Sequence, residues 1–259
     1  MKETLKIALI QTSLNWEKPE INRVVFSKKI ENLSSDVDLI ILPEMFTTGF
    51  TMSPENIDET EGLKTIEWMK LNAKEKDAAL VGSIIYTENG INYNRLFFVK
   101  PDGSYLTYDK RHSFTLSGEH LKYISGKNTL LVDFRGFVIN PMICYDLRFP
   151  VWSRNTNNYD VLLYVANWPK PRIGAWDVLL KARAIENMSY CIGVNRIGFD
   201  EKGLEYVGHS AVYNALGETL VFSEEEESLE VVVTKDHLVQ TRGKLKFLED
   251  RDHFTLQLD

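Results

Sequence analysis

The chain has 259 residues, 44% hydrophobic and 26% charged, with a formal net charge of -7 and a pI near 5.4. This is ordinary globular composition, long enough to bury about 75% of the unfolded surface without disulfide support. The acidic balance argues against a nucleic-acid partner, which selects basic surfaces.

No apolar stretch approaches the ~18 residues of a membrane span. The run at 5–10 is too short for a secretory signal core and no small-residue cleavage site follows it. Cys144 and Cys191 lie far apart and make no disulfide framework. A cytoplasmic protein with no membrane contact is therefore expected, and the sequons at Asn32 and Asn187 then carry no glycan.

In chain order, residues 5–12 are apolar and β-capable, and 19–33 opens with Pro19 where a helix tolerates it. Residues 38–43 contain Leu39-Ile40-Ile41-Leu42, the pattern of a strand buried on both faces. A helix at 62–76 and a strand at 79–86 follow. Strands 95–99 and 104–109 flank Pro101-Asp102-Gly103 and read as a hairpin, as do 130–134 and 137–143 about Arg135-Gly136. After a strand at 161–167, residues 173–190 place Trp176, Leu179, Leu180, Ala184 and Met188 on one helical face. Strands at 191–196, 210–213, 219–222 and 229–234 complete the set, with a turn at 214–217. The acidic run 224–227 reads as a solvated loop. No repeat or linker divides the chain, so one layered α/β domain over 1–259 is expected, with helices covering sheets.

Three polar clusters end apolar strands, where open sheets present reactive groups. Leu42-Pro43-Glu44 runs a buried strand into a carboxylate, suited to exchange protons. Tyr108-Asp109-Lys110-Arg111-His112 ends a hairpin in cations, and Lys110 could stabilise an oxyanion or favour a thiolate. Ile143-Cys144-Tyr145-Asp146 closes a strand with a thiol, and a helix starting there would supply oxyanion donors and favour the thiolate. Read singly, each is matched by a bland alternative: a solvated strand end, an exposed basic turn, a structural thiol. Cys191, within Tyr190-Cys191-Ile192-Gly193-Val194, fits the structural thiol. The five histidines lack metal-ligand spacing, and there is no phosphate loop. Gly208-His209-Ser210-Ala211-Val212 lacks the second Gly of a nucleophile elbow. No metal or cofactor is expected.

Together the clusters resemble the nitrilase, or carbon–nitrogen hydrolase, superfamily, whose triad runs Glu, Lys, Cys. Pro-Glu-Met-Phe carries Glu44, Tyr-Asp-Lys-Arg-His carries Lys110 and Ile-Cys-Tyr-Asp-Leu-Arg-Phe-Pro carries Cys144, at separations of 66 and 34 residues. Glu119 in Ser117-Gly118-Glu119-His120 is similar to a second family glutamate. The resemblance continues through Val165-Ala166-Asn167-Trp168-Pro169 and Arg183-Ala184-Ile185-Glu186-Asn187 to Gly208-His209-Ser210. Cys-Tyr-Asp-Leu-Arg-Phe-Pro and Ala-Asn-Trp-Pro look most like the omega-amidase branch, although Val151 stands where many amidase relatives have Glu. Nitrilases proper usually have Trp-Glu after the nucleophile, whereas this chain has Tyr145-Asp146.

The resemblance implies a four-layer α-β-β-α sandwich and at least a homodimer, with segment 235–259, including Phe247 and Leu248, reaching toward a partner subunit. It implies an amidohydrolase that releases ammonia from a small 2-oxo acid amide, 2-oxoglutaramate or 2-oxosuccinamate, through a cysteine thioester. Glu44 would be the base, Lys110 and the Tyr145 backbone N–H the oxyanion donors, and Glu119 an orienting group. A substrate carboxylate calls for a planar cation. Arg172 is the candidate, weighed against a plain surface arginine, with Asn167 and Trp168 beside it. Arg148, next to the nucleophile, is expected in a structural ion pair. Trp168 is either pocket wall or core. Alternatives are another small amide, a carbamoyl compound or a nitrile on the same triad; a non-catalytic binding protein of this fold; and a Cys/His glutaminase using His112 or His209.

Overall fold

The computed structural model describes residues 3–257. Their elements are β1 (Thr4–Gln11), α1 (Pro19–Glu31), β2 (Leu39–Ile41), α2 (Glu61–Lys76), β3 (Ala79–Glu88), β4 (Ile91–Val99), β5 (Tyr105–Asp109), β6 (Val132–Phe134) and β7 (Phe137–Ile143). Then follow α3 (Pro150–Ser153), β8 (Val161–Ala166), α4 (Ile173–Asn187), β9 (Tyr190–Asn195), β10 (Ile197–Phe199), β11 (Glu205–Val207), β12 (Ser210–Tyr213), β13 (Thr219–Ser223), β14 (Glu227–Thr234) and α5 (Lys235–Leu245).

The twelve strands expected from sequence form two six-stranded mixed sheets, ordered β14-β1-β2-β3-β4-β5 and β13-β12-β9-β8-β7-β6. The centre of each sheet is parallel, β1-β2-β3 in one and β7-β8-β9 in the other, and the margins are antiparallel. Side-chain alternation assigns the layers. On the first sheet Leu5, Ile7, Leu9, Leu39, Ile41, Leu96 and Phe98 pack toward the second sheet. Their neighbours Ala8, Ile10, Ile40, Leu80 and Phe97 pack on Phe26 and Ile30 of α1 and Ile66, Met69 and Ala73 of α2. Both faces of β2 and of β1 from Ile7 onward are thus buried, the physical reason for the apolar runs 7–10 and 39–42. On the second sheet α4 lies close over β9: a Cβ on Gly193 would come within 2.4 Å of Leu180 Cδ1 and 2.6 Å of Trp176 Cζ2. The result is the expected α-β-β-α sandwich.

Three local readings are corrected. The acidic run is not simply solvated, because Glu226 accepts a 2.5 Å hydrogen bond from Thr12 Oγ1 and Glu227 begins β14. The short ribbon β10–β11 was not legible, since each strand has three residues and only Tyr206 is buried. Helix α5 was also missed; it is polar, contains Gly243 and buries only Leu238, and Thr234 Oγ1 caps it by accepting from His237 N–H at 3.2 Å. The segment expected to reach a partner is first tied to its own chain. Arg242 donates to Met188 O at 2.8 Å and Tyr159 O at 2.6 Å, and Arg251 to Asn155 O at 2.9 Å. Of that expectation, Leu258 and Asp259 lie outside the described residues. Among the described residues no helix is long and apolar enough to cross a membrane.

Candidate active site

Four strand ends converge. Glu44 follows β2, where Leu42 N–H still bonds Val81 O at 2.7 Å before Met45 adopts φ +42° and turns the chain. Lys110 follows β5, its N–H held by Asn94 O at 3.0 Å. Cys144 follows β7 and opens a 3₁₀ turn, Cys144–Arg148, with φ +43°. A non-glycine residue there stores about 1–3 kcal/mol of strain, retained when the surroundings hold it. Asn167 follows β8. Three of these are carboxyl ends of the central parallel strands and the fourth is that of the antiparallel edge strand β5, places where the chain leaves the sheet and side chains can gather.

The structure brings Glu44, Lys110, Glu119 and Cys144 together, and all four are buried. Lys110 Nζ lies 2.8 Å from Glu44 Oε1 and 3.0 Å from each oxygen of Glu119. Phe114 N–H donates to Glu119 Oε2. Asn94, which sequence reasoning missed, donates its side-chain amide to Glu44 Oε1 at 2.8 Å and Glu119 Oε1 at 3.2 Å. It lies just before the strand expected at 95–99, in the part of β4 that the sequence pattern did not mark.

Electrostatics follow from this packing. Burial pushes the Cys144 thiol well above its ordinary value and the adjacent Glu44 carboxylate adds to the rise, while Lys110 opposes it. Lys110 pulls toward the thiolate as expected but is outweighed, and the net direction favours the protonated thiol that a Glu44 base would require. Burial alone would lower the Lys110 pKa, but Glu119 and Glu44 outweigh it and the net shift is upward, so this group stays an ammonium. Burial raises the Glu119 carboxyl, Lys110 pulls it down, and the like charge of Glu44 adds to the rise.

A cavity of about 340 Å³ opens onto this cluster. Lys110, Cys144, Tyr145, Asn167, Trp168 and Arg172 all line it, as do Trp16, Phe50, Phe114, Arg148 and Tyr206. Asp200, Glu201, Lys202 and Leu204, on the β10–β11 ribbon, form part of its rim. Trp168 is both wall and core: it is 3% exposed, packs on Trp176, and donates Nε1–H to Arg172 O at 2.8 Å. Arg172 lies over the Phe114 ring at 4.9 Å. Among the described residues Arg148 is in no ion pair; its guanidinium lies over the Trp168 ring at 5.0 Å and lines the cavity. Among the described residues neither arginine has a carboxylate partner.

Neither candidate histidine reaches the thiol. His112 binds Asp146 Oδ1 at 2.8 Å through Nδ1, and His209 binds Asp177 Oδ1 at 2.9 Å. Cys191 is buried in β9, where burial raises its pKa and Arg183 opposes that, as befits a structural thiol.

Residues 6–242 match the family described as carbon-nitrogen hydrolase. The chain is 43% identical over 257 residues to the omega-amidase YafV of Yersinia enterocolitica, covering 98% of this chain and 99% of the relative. It is 33% identical to the 2-oxoglutaramate amidase of Bacillus subtilis, covering 86% and 88%. A CN-hydrolase superfamily protein of Xanthomonas campestris, solved with an arsenic adduct in its active site, superimposes with a TM-score of 0.95 at 39% identity over 98% of this chain and 99% of that one. The sandwich, the strand-end cluster and these likenesses agree: the chain belongs to the carbon–nitrogen hydrolase family.

Proposed function

We propose that this protein is an omega-amidase, which hydrolyses the terminal amide of a small 2-oxo acid such as 2-oxoglutaramate to the dicarboxylic acid and ammonia. The observation that carries this reading is the buried Glu44–Lys110–Glu119 cluster against the Cys144 thiol, in a chain 43% identical to an omega-amidase.

Glu44 takes the Cys144 proton as sulfur attacks the amide carbon, so the thiolate forms only when substrate is present. The carbonyl electrons move to oxygen, which Lys110 and the Tyr145 backbone N–H stabilise. The first N–H groups of a helical turn lack partners within it, which suits Tyr145 to this task. The C–N bond then breaks and Glu44 gives its proton to the leaving nitrogen, releasing ammonia. Water transfers a proton to Glu44 and attacks the thioester. The C–S bond breaks, and the proton returns to sulfur. Glu119 holds the Lys110 ammonium through both steps. Arg172 receives the substrate carboxylate, with Trp168 and Asn167 shaping the wall. Of the alternatives, another small amide differs only in its acyl group, whereas a nitrile would add the thiol across its C≡N bond as a thioimidate and consume one further water before ammonia leaves.

The whole chain, 1–259, acts as one domain: β14 pairs with β1 over eight residues and closes the first sheet with the far end of the sequence. It works as a homodimer or higher homo-oligomer in the cytoplasm, without nucleic acid, membrane or cofactor. Exposed Val239, Phe247, Phe254 and Leu256 supply apolar surface for a second copy.

The test is ammonia release from 2-oxoglutaramate, 2-oxosuccinamate, glutamine and simple nitriles by wild type and Cys144→Ala. Turnover of the oxo-acid amides that disappears in the variant is expected; turnover of nitriles alone would refute the assignment.

A further inference from the structure

The residue two places after the nucleophile has no assigned task. Asp146 is fully buried, and each of its carboxylate oxygens accepts two hydrogen bonds. Oδ1 takes the His112 N–H at 2.9 Å and the His112 ring Nδ1 at 2.8 Å. Oδ2 takes the Tyr108 hydroxyl at 2.7 Å and the Ile143 N–H at 3.1 Å. Tyr108 and His112 stand two residues either side of Lys110, and Ile143 immediately precedes Cys144.

We propose that Asp146 is a positioning residue, clamping the Cys144 turn to the strand end that carries Lys110. This rests on the omega-amidase reading above, in which those two side chains act on one carbonyl. The clamp is built as a unit. Trp152 Nε1–H donates to the Tyr108 oxygen at 3.0 Å, and the His112 ring stacks on Phe149 at 3.7 Å with 5° between planes. The groups facing the carboxylate are thus donors from β5, the 110–112 segment and the end of β7. Among the described residues its one ion-pair contact is the His112 ring. Bonds to an ionised acceptor are stronger and more directional than neutral ones. Such a bond set is well suited to hold Cys144 at its positive φ.

Asp146→Asn tests this with little change of volume. An amide has one acceptor oxygen and an NH₂ donor. In either orientation the NH₂ meets a backbone N–H, from His112 or from Ile143, and one side of the clamp opens. Asp146 is buried and does not line the substrate cavity. A misalignment of about 1 Å can cost about 10²-fold in rate. With 2-oxoglutaramate, Asp146→Asn is expected to lower kcat about 10²-fold, with KM within about threefold of wild type, the pattern of an interaction used in the transition state. Alkylation of Cys144 by iodoacetamide, which also draws on Glu44, should slow in parallel.

Tyr108→Phe removes a single donor and keeps the ring packing, so it should lower kcat by about tenfold with KM held. A folded Asp146→Asn enzyme with kcat within twofold of wild type overturns the proposal, as does a loss confined to KM. If Asp146→Asn fails to fold, Tyr108→Phe decides: an unchanged kcat in that variant overturns the proposal, and a lowered kcat with KM held supports it. Cys144→Ala, assayed alongside, separates the two readings. Persisting ammonia release there sinks the omega-amidase mechanism itself, whereas its loss together with a normal Asp146→Asn enzyme sinks only the clamp.

Discussion

Asn167 and Glu44 are joined twice: the Asn167 N–H donates to Glu44 Oε2 at 2.9 Å, and the Asn167 side-chain amide donates to the Glu44 carbonyl oxygen. The Asn167 carbonyl in turn lies 4.0 Å from Cys144 Sγ. Asn167, a substrate-binding candidate in the sequence, therefore also bridges the carboxylate from one sheet and the thiol on the other.

This arrangement makes Glu44→Gln the most direct test of the proton path. Glutamine keeps the shape but cannot take the Cys144 proton, and general acid–base groups contribute about 10²–10⁴-fold. A loss of that size in ammonia release is expected, whereas His209→Ala should retain near wild-type turnover. A glutaminase that used histidine as base would reverse the order: Glu44→Gln active, His209→Ala or His112→Ala inactive.

Lys110→Ala should lose at least about 10²–10³-fold in kcat, the usual cost of one oxyanion donor. It should also lower stability. The variant leaves Glu44 and Glu119 buried without their cation, and removing one partner of a buried pair costs about 3–5 kcal/mol. Denaturant titration of a Lys110→Ala protein, read beside its kinetics, checks both. Near wild-type turnover in the folded variant would contradict the oxyanion role.

Arg172 and Arg148 face the same cavity, and the choice between them is testable by selectivity. A charged hydrogen bond is worth about 1.5–3 kcal/mol. Arg172→Ala should thus cost about 10- to 100-fold in kcat/KM on 2-oxoglutaramate and far less on an uncharged amide of similar size. Equal losses on both substrates remove Arg172 from the carboxylate role. The selective loss appearing in Arg148→Ala instead would move that role to the arginine over Trp168.

Much of the fold was legible because it rests on local rules, which also marked the strand-end groups; the family resemblance was needed to join those groups into one site. Buried parallel strands need unbroken apolar runs, as Leu39 to Leu42 shows, and reactive groups at their ends follow directly in sequence, as Glu44, Lys110 and Cys144 do. What escaped depends on partners distant in sequence. Asn94 falls just outside the strand expected at 95–99 and carries no mark until β4 is placed beside β2's end through β3. Arg148 looked like half of an ion pair because nothing local reveals that its neighbour is the Trp168 ring. The net direction at Cys144 was not legible for a related reason: the lysine effect is visible locally, but full burial and the opposing Glu44 come only with the folded core.

Burial of neutral acids gives a last prediction, for alkaline stability. Desolvation raises the pKa of Cys144, Cys191, Tyr108, Tyr159 and Tyr164 above their ordinary values. In the unfolded chain these thiols and phenols ionise near their ordinary pKa, while in the native state they keep their protons. Above that range the unfolded state binds fewer protons, so stability is fully present below it and falls as pH rises. The slope approaches ~1.4 kcal/mol per pH unit for each group. Urea unfolding should show a decline that begins near pH 9 and steepens near pH 10, first the thiols and then the phenols. Cys191→Ala removes one contributor away from the active site and should make the decline shallower between about pH 8 and pH 10. Parallel curves for wild type and variant would show that Cys191 ionises as readily folded as unfolded, which its place in β9 does not allow.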